Sequence, residues 1–312
     1  MKPLVVLAGP TGVGKSDLSI KLANRIGGEI ISADSMQVYR KLDIGTAKIT
    51  KEEMCDIRHH MLDVFDPDYS CDIEIYQRMV KECIDDIISR NHIPMLVGGT
   101  GFYIQAITKD VEFLEEDNTL IRQSITDYYD KYGMDALFER LDKIDHESAL
   151  IIPKQNIKKV IRAIEFYEIH KSKISDYNLK QAEKVSPYNL AYFVLNRNRD
   201  ELYDNINKRV DIMISKGLLE EVKSLIGQYD YNSQSGFYNA IGYKEIIEYI
   251  KGKCSLEEAI EQVKLNSRHY AKKQITFFKR SKEAIWFNKS LQSEDEILNE
   301  MINILSERKI YE

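Results

Sequence analysis

The octet from Gly9 to Ser16 carries the clearest chemistry in the chain. It reads Gly-Pro-Thr-Gly-Val-Gly-Lys-Ser and fits the Gly-x4-Gly-Lys-Ser/Thr pattern of a phosphate-binding loop. Glycines let the backbone aim N–H groups at an anion, and a following helix adds the positive end of its dipole. Lys15 supplies a full charge, and the Ser16 hydroxyl can reach Mg²⁺ or a phosphate oxygen. The loop predicts a diphosphate or triphosphate ligand; an ordinary glycine turn is the structural alternative.

Two more stretches that could do chemistry each follow an apolar run. Asp34 comes after residues 29–33, and its carboxylate could act as a general base or simply cap the next turn. Gly98-Gly99-Thr100-Gly101 comes after residues 95–97, where a nucleotide hydrolase usually has a Mg²⁺-binding acid. The glycines allow a ligand to approach the backbone and Thr100 offers a hydroxyl, but a tight turn fits equally well. The missing acid disfavours an ATPase motor or a switch GTPase.

Apolar periodicity predicts the elements that must position these residues. Strands are expected at residues 3–8, 29–33, 95–97, 189–195 and 284–287. Because parallel strands end at one edge of a sheet, the loop, Asp34 and the glycine turn should lie together there. Helices are expected at residues 17–23, 72–89, 120–132, 134–141, 156–171 and 201–225, the last with a possible break at Gly217.

These elements predict an α/β fold: a P-loop NTPase-like parallel sheet flanked by helices, with an inserted all-helical domain. The sheet core is expected at residues 1–114 and 187–312, and the insertion at residues 115–186, where no strand-like run occurs before the next apolar strand. An insertion of this kind could close over the phosphate loop as a lid.

Composition excludes several classes of protein. The chain has 312 residues, of which 43% are hydrophobic and 30% charged, as in an ordinary globular protein. No apolar run approaches 18 residues, and the N-terminus has a strand pattern rather than that of a signal peptide, so we expect a cytoplasmic protein. The four cysteines, at positions 55, 71, 83 and 254, lack the spacing of a disulfide framework or a zinc site. The adjacent pair His59-His60 lacks a third ligand, which favours a structural role over metal binding.

Positive charge is unevenly distributed although the net charge is −6. Residues 262–282 contain seven Lys or Arg, no Asp or Glu, and several interleaved aromatic residues. Such a stretch can bind RNA phosphates and stack on bases, but a solvated helix face with its aromatics turned inward is an equally good interpretation. A smaller basic run contains Lys154, Lys158, Lys159 and Arg162. Any of Arg197, Arg199, Lys208 and Arg209 could meet the diphosphate, but a solvated helix face is the alternative that fits most of them.

The motifs combine into a recognisable series. It contains the phosphate loop (9–16), Ile-Ser-Ala-Asp-Ser-Met-Gln-Val-Tyr (31–39), Asp-Ile-Gly-Thr-Ala-Lys (43–48), His-His-Met-Leu-Asp (59–63), Gly-Gly-Thr-Gly-Phe-Tyr (98–103), Arg-Ala-Ile-Glu (162–165), Ala-Ile-Gly-Tyr-Lys-Glu (240–245) and Ser-Arg-His-Tyr-Ala-Lys-Lys-Gln-Ile-Thr-Phe-Phe (267–278). In this order and over nearly the whole chain, the series resembles the tRNA dimethylallyltransferase family, also called tRNA isopentenyltransferases.

The chain departs from the family pattern at a few positions. Ser267, Lys273 and Phe277 stand where the last motif usually has Thr, Arg and Trp. Hydroxyl, charge and aromatic character are kept, although Lys lacks the planar fork of Arg. His170-Lys171 replaces the usual Thr-Gly after a helix of the insertion, which puts the local turn in question.

The resemblance implies transfer of a dimethylallyl group from its diphosphate to N6 of the adenine on the 3′ side of the tRNA anticodon. It implies a monomer, with Mg²⁺ as cofactor, Ser16 as its ligand, and Asp34, Thr100 and Arg209 as catalytic residues. Asp34 would accept a proton from the N6 amine or orient it, and Thr100 and Arg209 would stabilise the leaving diphosphate. The implied diphosphate site consists of Gly9, Pro10, Thr11, Gly12, Val13, Gly14, Lys15 and Ser16.

The resemblance also implies contacts with the tRNA anticodon stem-loop, around which the insertion would clamp. Besides Asp34 and Thr100, the implied contact residues are Ser35, Met36, Gln37, Arg122, Gln155, Asn156, Ile157, Lys158, Lys159, Asn239, Ala240, Ile241, Gly242, Tyr243, Lys244, Lys272, Lys273, Gln274, Ile275, Thr276, Phe277, Phe278 and Lys279. Three alternatives stay open: a small-molecule kinase, an adenylate isopentenyltransferase acting on free nucleotide, and a non-catalytic RNA-binding protein.

Overall fold

A six-stranded parallel sheet organises the part of the chain that the structure describes. The structure is a computed structural model, and it describes residues 1–114, 119–229 and 236–311. The strands are β1 (Lys2–Ala8), β2 (Gly28–Ala33), β3 (His59–His60), β4 (Ile93–Gly98), β5 (Tyr188–Asn196) and β6 (Ile285–Asn288). Their order is β3-β2-β4-β1-β5-β6. The strands β2, β3 and β4 lie on one side of β1, and β5 and β6 lie on the other. The loop after β1 therefore lies at the switch point where α/β sheets bind ligands.

Helices connect the strands and complete the described part of the chain. They are α1 (Lys15–Ile26), α2 (Ile73–Ser89), α3 (Gly101–Thr108), α4 (Thr119–Ile144), α5 (His146–Ile151), α6 (Ile157–His170), α7 (Ile174–Glu183), α8 (Arg199–Ser215), α9 (Leu218–Gln228), α10 (Tyr243–Ile250), α11 (Leu256–Phe278) and α12 (Glu294–Glu307). Helix α4 breaks at Gly133, whose φ of 79° is not helical. Gly217, with φ 97°, separates α8 from α9, as the sequence predicts.

Both faces of the sheet are buried, as a parallel sheet requires. Successive side chains of a strand point to opposite faces, and in β1 they join two different hydrophobic clusters. Leu4 and Val6 pack in the cluster that contains Tyr76 of α2. Val5 and Leu7 pack in the cluster that contains Leu22 of α1. This double cover explains why the strands are continuous apolar runs rather than alternating ones.

The predicted parallel sheet flanked by helices is confirmed, with one strand that the sequence analysis missed. His59 and His60 form β3, which pairs with β2 at the edge of the sheet. A strand of two residues has no periodicity to detect. His60 Nε2 lies 2.7 Å from Glu29 Oε2, and His59 Nδ1 lies 2.8 Å from the Ile57 carbonyl, so both rings have structural partners.

The chain divides into two compact units. One contains residues 1–108 and 186–312, and the other is Lys109–Val185. The described residues of the second unit are helical, and their core includes Ile125 and Leu137 of α4 and Ile164 of α6. The assignment of this unit as a tRNA-clamping domain stays a prediction. Among the described residues, no helix is both long and apolar enough to cross a membrane.

Lys171 preserves the turn that the sequence analysis questioned. It caps the C-terminus of α6 in the left-handed conformation, with φ 50°, and its N–H donates to the Tyr167 carbonyl. A left-handed residue at this position is the usual end of a helix, but glycine adopts it at the lowest cost. The chain therefore keeps the turn with a residue that is strained in it.

Replacing Lys171 by Gly should stabilise the protein by about 0.5–1 kcal/mol, because the left-handed strain disappears. The Lys171–Glu168 ion pair that is lost is 3.1 Å long, and the Lys171 side chain is mostly exposed, so the pair contributes little. Urea denaturation measures the change. Lys171→Ala is the matched control, since it removes the same ion pair but keeps a Cβ. If the Ala variant is as stable as the Gly variant, or more stable, the strain argument is wrong.

Candidate functional site

The phosphate loop joins β1 to α1 and leaves an anion-binding helix end open. Gly14 caps α1 with φ 83° and offers no side-chain oxygen to the first-turn N–H groups, so these remain available to a ligand. Lys15 Nζ folds back over the loop and donates to the carbonyls of Gly9 and Pro10, each at 2.9 Å. The loop thus has the geometry of a phosphate cradle in which the lysine is held by backbone oxygens.

A second cation, Arg209 of α8, acts on the same site. Burial first, and then the charge of Arg209, lower the pKa of Lys15 from 10.5 to about 7, while the Asp34 carboxylate opposes them. Burial also lowers the pKa of Arg209, again opposed by Asp34. Arg209 Nη2 donates to the Thr46 carbonyl at 2.9 Å, whereas its buried Nε has no partner among the described residues. Two cations, Lys15 and Arg209, thus face the charge of Asp34, and this excess of positive charge suits an anionic ligand.

Of the four basic residues around α8 that the sequence singled out, Arg209 is the one whose charge perturbs Lys15. Arg197 pairs with Glu201 at 3.3 Å, Arg199 lies over the ring of Tyr203, and Lys208 is exposed. These three residues therefore fit the alternative interpretation, a solvated helix face.

Asp34 lies at the end of β2 and caps the following turn. Its Oδ1 accepts from the backbone N–H of Met36 at 2.9 Å and of Gln37 at 3.4 Å. Asp34 therefore caps the turn and also lies at the carboxyl ends of the strands, beside the phosphate loop. The cap uses one carboxylate oxygen and fixes the plane of the group, and Oδ2 is not used by it. The Asp34 charge also acts on Lys15 and Arg209, which brings carboxylate and cations into one electrostatic site.

The glycine turn after β4 brings Thr100 against the end of β2. A Cβ on Gly98 would lie 2.2 Å from the Ala33 carbonyl oxygen, so only glycine allows this approach. The Thr100 N–H donates to that carbonyl at 3.0 Å, and Thr100 Oγ1 accepts from the Ser35 N–H at 3.1 Å. Thr100, Ser35 and Asp34 therefore form one continuous polar edge.

Gln274 of α11 ties the phosphate loop to this edge. Its Oε1 accepts from the Thr11 N–H at 3.0 Å, and its Nε2 donates to the Gly99 carbonyl at 2.9 Å. The side chain is buried and lies against Gly99, where a Cβ would come within 2.3 Å of Nε2. Gln274 was expected from the resemblance to contact RNA, but in this structure its amide faces the phosphate loop.

Three contributors to the site were missed by the sequence analysis. Burial and the Asp34 charge raise the pKa of Tyr270, opposed by hydrogen bonds with Thr100 and Gln274, which puts this tyrosine beside the acidic edge. Lys289 Nζ donates to the Gly14 carbonyl at 3.0 Å, and Asn205 Nδ2 to the Gly12 carbonyl at 3.3 Å. Tyr270 stands within the motif of residues 267–278 without having been assigned to the site. Lys289 and Asn205 have no local signature, because each contacts the loop from far away in the sequence.

The rest of the predicted RNA-contacting residues divide by exposure. Asn239, Lys244, Lys272, Lys273, Thr276 and Lys279 are exposed, and in the second unit so are Arg122, Gln155, Lys158 and Lys159. Ala240, Gly242, Tyr243 and Phe278 are buried. Helix α11 thus presents lysines on one face and turns Phe278 to the core, while Phe277 packs on Gly101. Ser35, Met36, Gln37, Asn156, Ile157, Ile241 and Ile275 are half-buried.

The site fits Mg²⁺ only in combination with a ligand. The Ser16 side chain is exposed at the start of α1. No group of three His, Cys, Asp or Glu side chains with metal-site geometry occurs within residues 1–114, 119–229 and 236–311. Mg²⁺ commonly takes few protein ligands and completes its shell with phosphate oxygens and water, so Ser16 beside a diphosphate is a suitable donor set.

Comparison with known proteins agrees with the motif series. The family described as IPP transferase matches residues 37–281. A tRNA dimethylallyltransferase of Lachnoclostridium phytofermentans is 47% identical over 313 residues, which covers 99% of each chain. A solved tRNA isopentenylpyrophosphate transferase of Bacillus halodurans is 40% identical, with a TM-score of 0.74 over 99% of this chain and 97% of that one. A solved eukaryotic dimethylallyltransferase acting on tRNA is 28% identical, with a TM-score of 0.83 over 99% of this chain and 80% of that one.

The lowered pKa of Lys15 predicts proton uptake on anion binding. At pH 8 the free lysine is mostly neutral, and a bound diphosphate favours its charged form, so binding should take up a proton and weaken as the pH rises from 7 to 9. Calorimetry of inorganic pyrophosphate at pH 8, without divalent cations and in buffers of different ionisation enthalpy, measures this. Lys15→Arg stays charged and should bind without uptake by this side chain. Pyrophosphate also exchanges protons near this pH, so the comparison is with Lys15→Arg: equal proton uptake by the wild type and this variant would refute the shift.

Proposed function

The chain belongs to the IPP transferase family, and we propose that it transfers a dimethylallyl group from dimethylallyl diphosphate to N6 of the adenine 3′ to the anticodon in tRNA. The observation that carries the proposal is the site around the phosphate loop. Two partly dehydrated cations, Lys15 and Arg209, share one electrostatic site with a single carboxylate, Asp34. The cations suit a diphosphate, and the carboxylate suits an amine that must lose a proton.

The reaction breaks the C1–O bond of the prenyl diphosphate and forms a bond from C1 to the adenine N6. Negative charge grows on the diphosphate as the bond breaks, so Lys15, Arg209 and the loop N–H groups lower the barrier by stabilising the leaving group. N6 loses one proton, which Asp34 accepts or directs toward solvent. An ordinary aspartate is a weak base, so its contribution comes largely from its fixed orientation. Ser16 is the residue that would hold Mg²⁺ beside the diphosphate, and the ion would supply further positive charge to the leaving group.

The proposed tRNA substrate accounts for the exposed basic residues. Lys272 and Lys273 of α11 and Lys279, which caps the C-terminus of that helix, are exposed, and so are Lys158 and Lys159 on α6 of the second unit. Such lysines bind phosphates without reading sequence. The target adenine leaves the anticodon-loop stack and enters the polar edge formed by Asp34, Ser35 and Thr100. The enzyme acts as a monomer in this proposal.

Transfer of label from dimethylallyl diphosphate tests the proposal. The purified protein is incubated with the labelled donor, Mg²⁺ and unmodified tRNA, and with AMP or ATP in parallel. We expect label on adenine N6 in tRNA alone. Label on AMP or ATP alone would favour an adenylate isopentenyltransferase. No transfer to any acceptor by folded protein would overturn the proposal and bring back the kinase and RNA-binding alternatives.

Substitution of Asp34 separates its chemical role from its capping role. Asp34→Asn keeps an oxygen that can accept from Met36 and Gln37, but removes the charge and the base. We expect turnover to fall about 100-fold or more, with tRNA affinity and the urea midpoint little changed, because general-base contributions are of that order. Asp34→Ala should lose turnover similarly and also lose stability, because the cap is gone. Wild-type turnover in Asp34→Asn would exclude Asp34 from the proton transfer.

A further inference from the structure

The loop of residues 43–48 supplies an acceptor that links the two sides of the site. The Thr46 carbonyl accepts from Arg209 Nη2 at 2.9 Å and from Gln37 Nε2 at 3.4 Å. Arg209 belongs to the diphosphate side, and Gln37 follows Asp34 on the acceptor side. The position of this one carbonyl therefore affects how both side chains are held.

A carboxylate from a distant helix holds the first half of the loop. Glu221 of α9 accepts three consecutive backbone N–H groups: Oε2 accepts from Asp43 at 3.0 Å and from Ile44 at 2.7 Å, and Oε1 accepts from Gly45 at 3.0 Å. Successive N–H groups converging on one anion form a strong, directional site, because each bond is assisted by the full charge. The loop has no helix or strand structure of its own but has turn bonds from Ala47 N–H to the Ile44 carbonyl and from Lys48 N–H to the Asp43 carbonyl. The Glu221 bonds fix this turn against α9.

Tyr243 of α10 completes the arrangement. Its hydroxyl donates to Glu221 Oε1 at 2.7 Å. A Cβ on Gly45 would lie 2.5 Å from the tyrosine ring, so the loop packs directly on the ring face. Tyr243 is fully buried, which leaves it no surface for RNA contact, although the resemblance implied such a contact. Carboxylate and ring together hold the loop from one side.

We infer that Glu221 is a positioning residue of the transferase, which holds the loop of residues 43–48 through three N–H groups so that the Thr46 carbonyl orients Arg209 and Gln37. Tyr243 supports Glu221 in this role. The inference rests on the proposed function, since it assigns Arg209 to the diphosphate. Glu221 lies outside the motifs that the sequence analysis singled out.

The second half of the loop has an independent anchor, which makes the inference specific. Lys48 Nζ donates to the Tyr39 carbonyl at 2.8 Å, to Asp43 Oδ1 at 2.7 Å and to Asp63 Oδ1 at 2.6 Å. Loss of the Glu221 bonds should therefore loosen residues 43–46 without releasing the whole loop. The variant is expected to fold with some loss of stability, and its main defect is expected in the site.

Glu221→Gln is the test variant and Glu220→Gln its matched control. The amide keeps one acceptor oxygen, but its NH₂ faces backbone donors that it cannot satisfy. We expect kcat/KM to fall about tenfold or more, with a weaker affinity for inorganic pyrophosphate and a urea midpoint lowered by the unsatisfied N–H groups. Glu220 is exposed on the same turn of α9, so its Gln variant removes the same charge and should behave as wild type.

A double-mutant cycle shows whether Glu221 acts through Arg209. Pyrophosphate affinity is measured for wild type, Glu221→Gln, Arg209→Lys and the double variant. If Glu221 positions Arg209, the Glu221→Gln substitution should weaken pyrophosphate affinity strongly when Arg209 is present and only slightly in the Arg209→Lys background. Additive effects, or wild-type kinetics in Glu221→Gln, would overturn the inference. If wild type itself transfers no prenyl group, the proposed function fails instead.

A milder variant keeps the test valid if Glu221→Gln folds poorly. Tyr243→Phe removes only the hydroxyl that donates to Glu221 and keeps the ring under Gly45. It should weaken pyrophosphate binding in the same direction by a smaller factor, again only when Arg209 is present. An unchanged pyrophosphate affinity in this variant, with Glu221→Gln unfolded, would reduce Glu221 to a structural role and overturn the inference.

Discussion

The burial of two cations, Lys15 and Arg209, is the constraint on which the arrangement of the site depends. Each cation has lost hydration, and the charge of Arg209 helps to lower the pKa of Lys15. Backbone carbonyls compensate part of the cost: Gly9 and Pro10 accept from Lys15, and Thr46 accepts from Arg209. A carbonyl is a weaker partner than an anion, so the free site is electrostatically unsatisfied. A diphosphate relieves both cations at once, and this is the physical basis of its proposed affinity.

Compensation by backbone carbonyls works only if the loops that carry them are held in place. Helices supply that support from a distance. The Gln274 amide bridges Thr11 and Gly99, and the Glu221 carboxylate collects three N–H groups of the 43–48 loop. In each case the side chain saturates buried backbone groups that would otherwise be costly. The loops are therefore held in place partly by side chains that lie far away in the sequence.

This division explains what the sequence could and could not predict. The phosphate loop, the ends of β2 and β4 and the break at Gly217 could be predicted because glycine pattern and apolar period are local signals. The contacts of Glu221 and Lys289 could not, since each acts on a loop far away in the chain and neither stands in a distinctive local pattern. β3 was missed because two residues have no period.

The sequence of α11 does contain a signal for the inward orientation of Gln274, but the basic residues of the helix obscured it. Ala271, Gln274 and Phe278 have helical spacing and are all buried, so the period of the apolar positions places the Gln274 amide on the inner face. The lysines around these residues led instead to the prediction that the stretch contacts RNA. A buried glutamine on an otherwise apolar stripe indicates a specific polar partner, because an unpaired amide there would be costly.

The exposure of Lys273 also explains why it can stand where the family pattern has Arg. Lys273 is exposed, and against a polyanion an exposed lysine still contributes its full charge, although it lacks the planar fork. Phe277 lies one turn further along the helix and packs on Gly101, where an aromatic ring of either kind covers the glycine turn. The departures thus fall where charge or ring character suffices. Gln274, whose two amide atoms are both engaged, matches the family pattern, because no other side chain presents that acceptor and that donor at that spacing.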